Sequence, residues 1–156
     1  MGVSVRIVRR KHKDLKRPDM SGPSKVKVGF PAGATGGDIL NRAVWNHFGT
    51  RGGASGGGWG GPIPERPFLA NAIRDNTGTY KAALKTSAAR ILLGEASMQL
   101  VLSKLGELAK GHTQREITSL SSPPNSPVTI ALKGSSNPLV DSGEMRGSVT
   151  WKIDDA

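Results

Sequence analysis

The segment Asn137-Pro138-Leu139-Val140-Asp141-Ser142-Gly143-Glu144-Met145-Arg146-Gly147, followed by Ser148 to Ile153, constrains the fold most, because it ends in a strand with no partner nearby. Pro138 forces an extended approach. Asp141 or Ser142 can cap one short helical turn, and Glu144 sits early in that turn, where the helix dipole favours a carboxylate. Gly147 then ends it. From there Ser148, Thr150 and Lys152 alternate with Val149, Trp151 and Ile153, the pattern of a strand with one buried face. Candidate partners occur only near the N-terminus, at Val3-Val5-Ile7 and over Lys25–Phe30, where Val26, Val28 and Phe30 alternate. The two ends are expected to meet in a small, largely antiparallel, three-stranded sheet. Short strands of this kind need a helix across their apolar face. The expected fold class is α+β, a sheet from the N- and C-terminal strands packed against long helices, as a single domain over residues 1–156.

Three helical regions fill the interval. Asp38 is a candidate N-cap for a helix over Ile39–Phe48, with Gly49 as its stop. Pro67 suits the first turn of a helix over Phe68–Arg74, and Asp75–Thr79 interrupts the pattern before it resumes at Tyr80. The apolar series then continues to Ala109, with Gly94, Gly106 and Gly111 as soft points, and Arg115–Leu120 adds a further turn or two. Ser126 and Pro127 read as N-cap and first helical position, with Gly134 as the stop. Val128, Ile130 and Leu132 also alternate, so a short strand remains an alternative there. The core must be mostly aliphatic, since only 4% of the 156 residues are aromatic.

The 21 glycines cluster, most densely over Gly52–Gly61, within an extended loop spanning 49–62. That stretch cannot fold alone, because only Trp59 has apolar area worth burying. A lone Trp in such a loop either docks on a neighbour or tucks back on its own subunit, and docking is the expectation. The net charge of +10 is also local: nine of the 22 Lys and Arg fall within residues 1–27, against Asp14 and Asp19. Arg9, Arg10, Lys11, Lys13, Lys16 and Arg17, in a basic loop over 9–24, are candidates to face DNA.

Catalysis finds no support. His12, His47 and His112 have no metal-ligand spacing, and His47 beside Phe48 reads as a partly buried packing residue. Neither glycine-rich stretch leads into Gly-Lys-Ser/Thr. Ser142 lacks a nucleophile elbow. Asp141 and Glu144 are explained by capping and the helix dipole. Lys133, Asp141 and Arg146 can form a salt-bridged brace around the C-terminal turn. No cofactor, metal or enzymatic role is expected. The chain contains no cysteine, which removes disulfides and thiolate chemistry. No apolar run approaches a membrane span of about 18 residues, so a soluble protein without a membrane partner is expected.

The order of short motifs carries a resemblance. Asn46-His47-Phe48-Gly49-Thr50 is followed by Ile63-Pro64-Glu65-Arg66-Pro67-Phe68-Leu69, then, after a long helical region, by Pro123-Pro124-Asn125-Ser126-Pro127 and Thr129-Ile130. Lys133-Gly134-Ser135-Ser136 then leads into the C-terminal segment and its strand. Together they resemble the neck and tail-completion, or virion morphogenesis, proteins of tailed bacteriophages, over a span from about residue 25 to the C-terminus. The resemblance implies a structural subunit that assembles as a homo-oligomeric ring, of hexameric or dodecameric kind, at the head–tail junction of the virion after synthesis in the host cytoplasm. It implies other neck, connector and tail proteins as partners, and only transient contact with the genomic DNA passing through. The ring interface is expected at Trp59, Arg51, Arg66 and Phe68, and the structural turn at Pro138, Asp141, Gly143 and Arg146. A basic DNA-binding accessory protein is the alternative function.

Overall fold

The computed structural model describes Val8, residues 22–31, Gly33, and residues 35–51 and 62–154. The fold is α+β. In chain order the elements are β1 (Lys25–Gly29), α1 (Gly37–Phe48), α2 (Phe68–Asp75), α3 (Thr77–Leu92), α4 (Met98–Ser119), α5 (Pro127–Lys133), α6 (Glu144–Gly147) and β2 (Thr150–Asp154).

The ends of the chain do meet. β1 and β2 pair antiparallel, with Val26 opposite Ile153 and Val28 opposite Trp151. Among the described residues the sheet has two strands rather than three; the expected first strand at Val3–Ile7 lies outside them. An isolated two-stranded ribbon is marginal in water, and α4 supplies what it lacks by packing on both strands. The closest approach is at Gly106. The Trp151 indole lies so near that a Cβ on Gly106 would fall 2.5 Å from it, and Trp151 Nε1–H donates to Glu107 Oε1 at 2.8 Å. Gly106, a soft point by sequence, is thus the contact that seats the sheet on the helix.

Around this axis the core gathers Ala43, Phe68, Ile117, Leu120, Leu139, Met145 and Val149. Phe68 is wholly buried, with Phe30 and His47 edge-on to its ring at 6.1 and 5.3 Å. Burying one such side chain contributes roughly 1.5–3 kcal/mol.

Several element ends differ from the sequence reading. α1 begins at Gly37 behind Gly36, so Asp38 is a first-turn carboxylate rather than the cap. The expected interruption over Asp75–Thr79 shrinks to Asn76, whose Nδ2 donates back to the Ala72 carbonyl at 2.8 Å; Gly78 lies inside α3. The true break is at Gly94, with Ser97 capping α4 through the Leu100 N–H. Arg115–Ser119 continues α4. α5 is a helix, with Ser126 as N-cap, Pro127 in its first turn and left-handed Gly134 as its stop. α6 starts behind Gly143 at φ 84°, not behind Asp141, and ends at Ser148 with Gly147 inside it.

α3 stands apart. None of its 16 residues is buried, and its polar tie to α4 is Tyr80 Oη against His112 Nδ1 at 2.9 Å.

The two α4 glycines separate packing from propensity. Gly106→Ala should destabilise by about 1–3 kcal/mol, because the new methyl overlaps the indole. Gly111 has no neighbour within 4 Å of an added Cβ, so Gly111→Ala should instead stabilise by up to about 1 kcal/mol through helix propensity. Urea unfolding of the two variants checks both signs.

Candidate functional site: a groove around a buried arginine

The motifs that lie far apart in sequence converge on Arg66. Its side chain sits at the entry to α2 and the residue is 3% exposed. Nε–H donates to the Pro123 carbonyl at 2.8 Å and Nη2 to the Pro124 carbonyl at 3.1 Å. Nη1 reaches Asn46 Oδ1 at 3.2 Å, and Nη2 also reaches Asn125 Oδ1 at 3.4 Å. The backbone repeats the tie, with Arg66 N–H donating to the Asn46 carbonyl at 2.8 Å. A buried cation is costly unless every donor is satisfied. Here carbonyl dipoles do that work, and desolvation pulls the Arg66 pKa down from its ordinary value.

From Arg66 the network extends to the C-terminal segment. Asn125 Nδ2 and Lys133 Nζ both donate to the Asn137 carbonyl, at 3.3 and 3.1 Å. The Asn137 side chain accepts from the N–H groups of Leu139 and Val140, each at 3.0 Å, and donates to the Thr118 carbonyl at 2.7 Å. One amide therefore shapes the turn before α6 and fastens it to the end of α4. Across the same region Arg42 pairs with Glu144 at 3.1 Å, joining α1 to α6.

Between these parts lies a groove of about 750 Å³. Its walls are α1 at Arg42 and Asn46, the Pro62–Pro64 strap, α5, and the segment from Pro138 to Met145. The strap begins at a pinned base: Thr50 N–H donates to the Ile63 carbonyl at 2.9 Å, and Ile63 N–H donates to Thr50 Oγ1 at 3.0 Å. Gly49 makes this approach possible, since at φ 71° a Cβ there would fall 2.9 Å from the Ile63 carbonyl oxygen.

The expected site residues divide accordingly. Arg66 and Phe68, expected at a ring interface, are 3% and 0% exposed; the clamp and the core occupy them, and neither offers surface to a neighbour. Arg51 is exposed. Trp59 lies outside the described residues, as do Arg9, Arg10, Lys11, Lys13, Lys16 and Arg17. Pro138 is a buried part of the groove wall and Gly143 starts α6. The brace of Lys133, Asp141 and Arg146 does not form. Lys133 donates to the Asn137 carbonyl at 3.1 Å instead; burial lowers its pKa, and the Asp141 charge opposes that shift without forming an ion pair. Arg146 is exposed, and its carbonyl accepts from Gln114 Nε2 at 3.1 Å. Sequence reasoning missed Asn46, Asn125 and Asn137 as the polar frame. The Asn137-Pro138 pair was the available signal, since Asn before Pro starts turns.

Among the described residues, no group of three or more His, Asp or Glu is placed to hold a metal ion, and no helix is long and apolar enough to cross a membrane. Compared with protein-family models, with curated proteins and with solved structures, the chain finds no match in any of the three.

Removing the clamp should be costly. Arg66→Ala leaves the Pro123 and Pro124 carbonyls unpaired and should destabilise by about 2–4 kcal/mol, with Arg66→Lys recovering part of it, because a lysine keeps the charge but not the planar fork. Urea unfolding curves measure the difference.

Two histidines give the fold a pH dependence. Burial holds the pKa of His47 and of His112 below the ordinary 6.5, with Arg115 adding to the effect at His112 and Glu65 opposing it at His47. The folded state therefore binds fewer protons than the unfolded chain below that value, so these groups remove stability as pH falls through 6.5 and leave it intact above. His112→Gln should flatten the loss of stability between neutral and mildly acidic pH relative to the parent chain, measured by melting temperature across that range.

Proposed function

We propose that this chain is a structural, non-catalytic virion protein that forms a ring at the head–tail junction of a tailed bacteriophage. The observation that carries this reading is the convergence on Arg66. The motifs around Asn46, Arg66, Pro123-Pro124-Asn125 and Asn137, on which the resemblance rests, are bonded into one network rather than scattered over the fold. A motif set held together in space by one buried side chain is one structural unit. The groove beside it, with an exposed apolar wall, suits a subunit that completes its packing against neighbours. The local positive charge between Arg9 and Arg17 suits weak, sequence-independent contact with passing DNA, since tight phosphate contacts would stall it.

Electron microscopy of particles made without this gene product tests the role. Filled heads and separate tails are expected, and complementation by a chain lacking residues 52–61 should leave them unjoined although the purified variant folds. Intact, joined virions in the absence of the protein would overturn the reading.

A further inference from the structure

One wall of the groove exposes apolar side chains. α5 is capped at both ends, yet none of its residues is buried. It holds Val128 and Leu132, 69% and 84% exposed and one helical turn apart, over the groove. Pro62, Pro64, Pro124 and Pro138 contribute to the other walls. Val128 and Leu132 form an adjacent exposed apolar pair beside Pro62, Pro64 and Pro124, a footing for one apolar side chain of a partner. Its shape and chemistry suit an aromatic ring carried on a chain with little else to bury. Prolyl and leucyl faces accept an indole flat, and neighbouring glycines let the backbone come close.

The sequence contains one such segment, Gly52–Gly61, in which Gly58 and Gly60 flank Trp59. It leaves the described structure at Arg51 and returns at Pro62, next to the base pinned by Thr50 and Ile63. Ten residues between two joined ends carry their midpoint outward by about 17 Å at full extension. Resting on the ring reading above, we infer that the groove of one subunit receives the Trp59 segment of a second copy of this chain. A ring closes through heterologous contacts, in which each subunit presents two different surfaces to its neighbours. A segment with a single indole and a groove with exposed apolar side chains, both on one chain, can supply such a pair. Residues 52–61 are uncharged, and most of the groove's charged groups are already engaged within the subunit: Arg42 with Glu144, Lys133 with the Asn137 carbonyl, and Arg66 with four carbonyl and amide oxygens, which leaves Asp141.

The absence of cysteine makes a disulfide test clean. Gly60→Cys and Thr129→Cys are made in separate preparations of the full chain, which keeps Trp59, Val128 and Leu132 in place. Mixed under mild oxidation, they should give a mixed dimer on non-reducing electrophoresis. Adding Trp59→Ala to the first or Leu132→Lys to the second should lower its yield about tenfold or more, the scale of losing a central anchor. Leu132 is 84% exposed, so the second change leaves the fold intact, as a melting curve verifies. No mixed dimer would overturn the inference. So would a bridge found only within one chain when both cysteines are present together, which places the segment on its own groove. The particle images described above score the neck role separately, so either idea can fail while the other stands.

Discussion

The fold depends on one buried guanidinium that donates to the carbonyls of two consecutive prolines, Pro123 and Pro124. Pro123 and Pro124 lack N–H groups, so the turn after α4 cannot knit itself together through its own backbone. Its carbonyls need an outside donor with two parallel N–H groups. Arg66 provides these from 57 residues away, at 2.8 Å to Pro123 and from a second nitrogen at 3.1 Å to Pro124. The planar fork is what makes one side chain sufficient, since a lysine would meet these carbonyls only as a point charge. With that turn fixed, Asn125 and then Asn137 fall into place, and the C-terminal segment is delivered to α4 with β2 in register beside β1.

The clamp also explains the groove. Neutral acceptors bond Arg66, so no carboxylate is drawn into the interior to neutralise it, and the groove is lined by proline and aliphatic side chains interleaved with polar and charged ones such as Lys133, Asp141 and Ser142. The one ion pair there, Arg42 with Glu144, is 41% and 58% exposed at the side chains and adds little to stability. It joins α1 to α6 rather than closing the groove.

Much of the fold was legible locally. Alternation gave β1 and β2 and their meeting, Ser126-Pro127 and Gly134 bracketed α5, and Gly49 ended α1. These signals depend on residues adjacent in sequence. What stayed hidden depends on partners far away. Gly106 looked like a weakness in a helix because its reason, the Trp151 indole, lies 45 residues downstream. Arg66 was expected at a ring interface through the resemblance, and its burial is set by carbonyls no local pattern announces. The brace of Lys133, Asp141 and Arg146 failed for the converse reason: proximity in sequence suggested pairing, but a half-buried ammonium found a carbonyl closer than a carboxylate.

The distribution of burial has a consequence for assembly. α1, α2, α4 and α6 contribute buried residues to the interior, whereas α3 and α5 bury none. Helices this short draw most of their stability from packing one face, because intrinsic propensity alone leaves them marginal in water. α3 is tied down by Tyr80 and His112 and by contacts with α4 and α2, and α5 by its caps and Lys133. Both carry exposed leucines, Leu84 and Leu92 on α3 and Leu132 on α5. A subunit with a well-packed centre and under-packed helices at its edges gains most when another surface covers those edges. Under the proposed neck role, that covering is the assembly step itself. The free chain would then hold its shape through the Arg66 clamp and the α4–sheet core, while the edges that meet a neighbour would become rigid only in the ring.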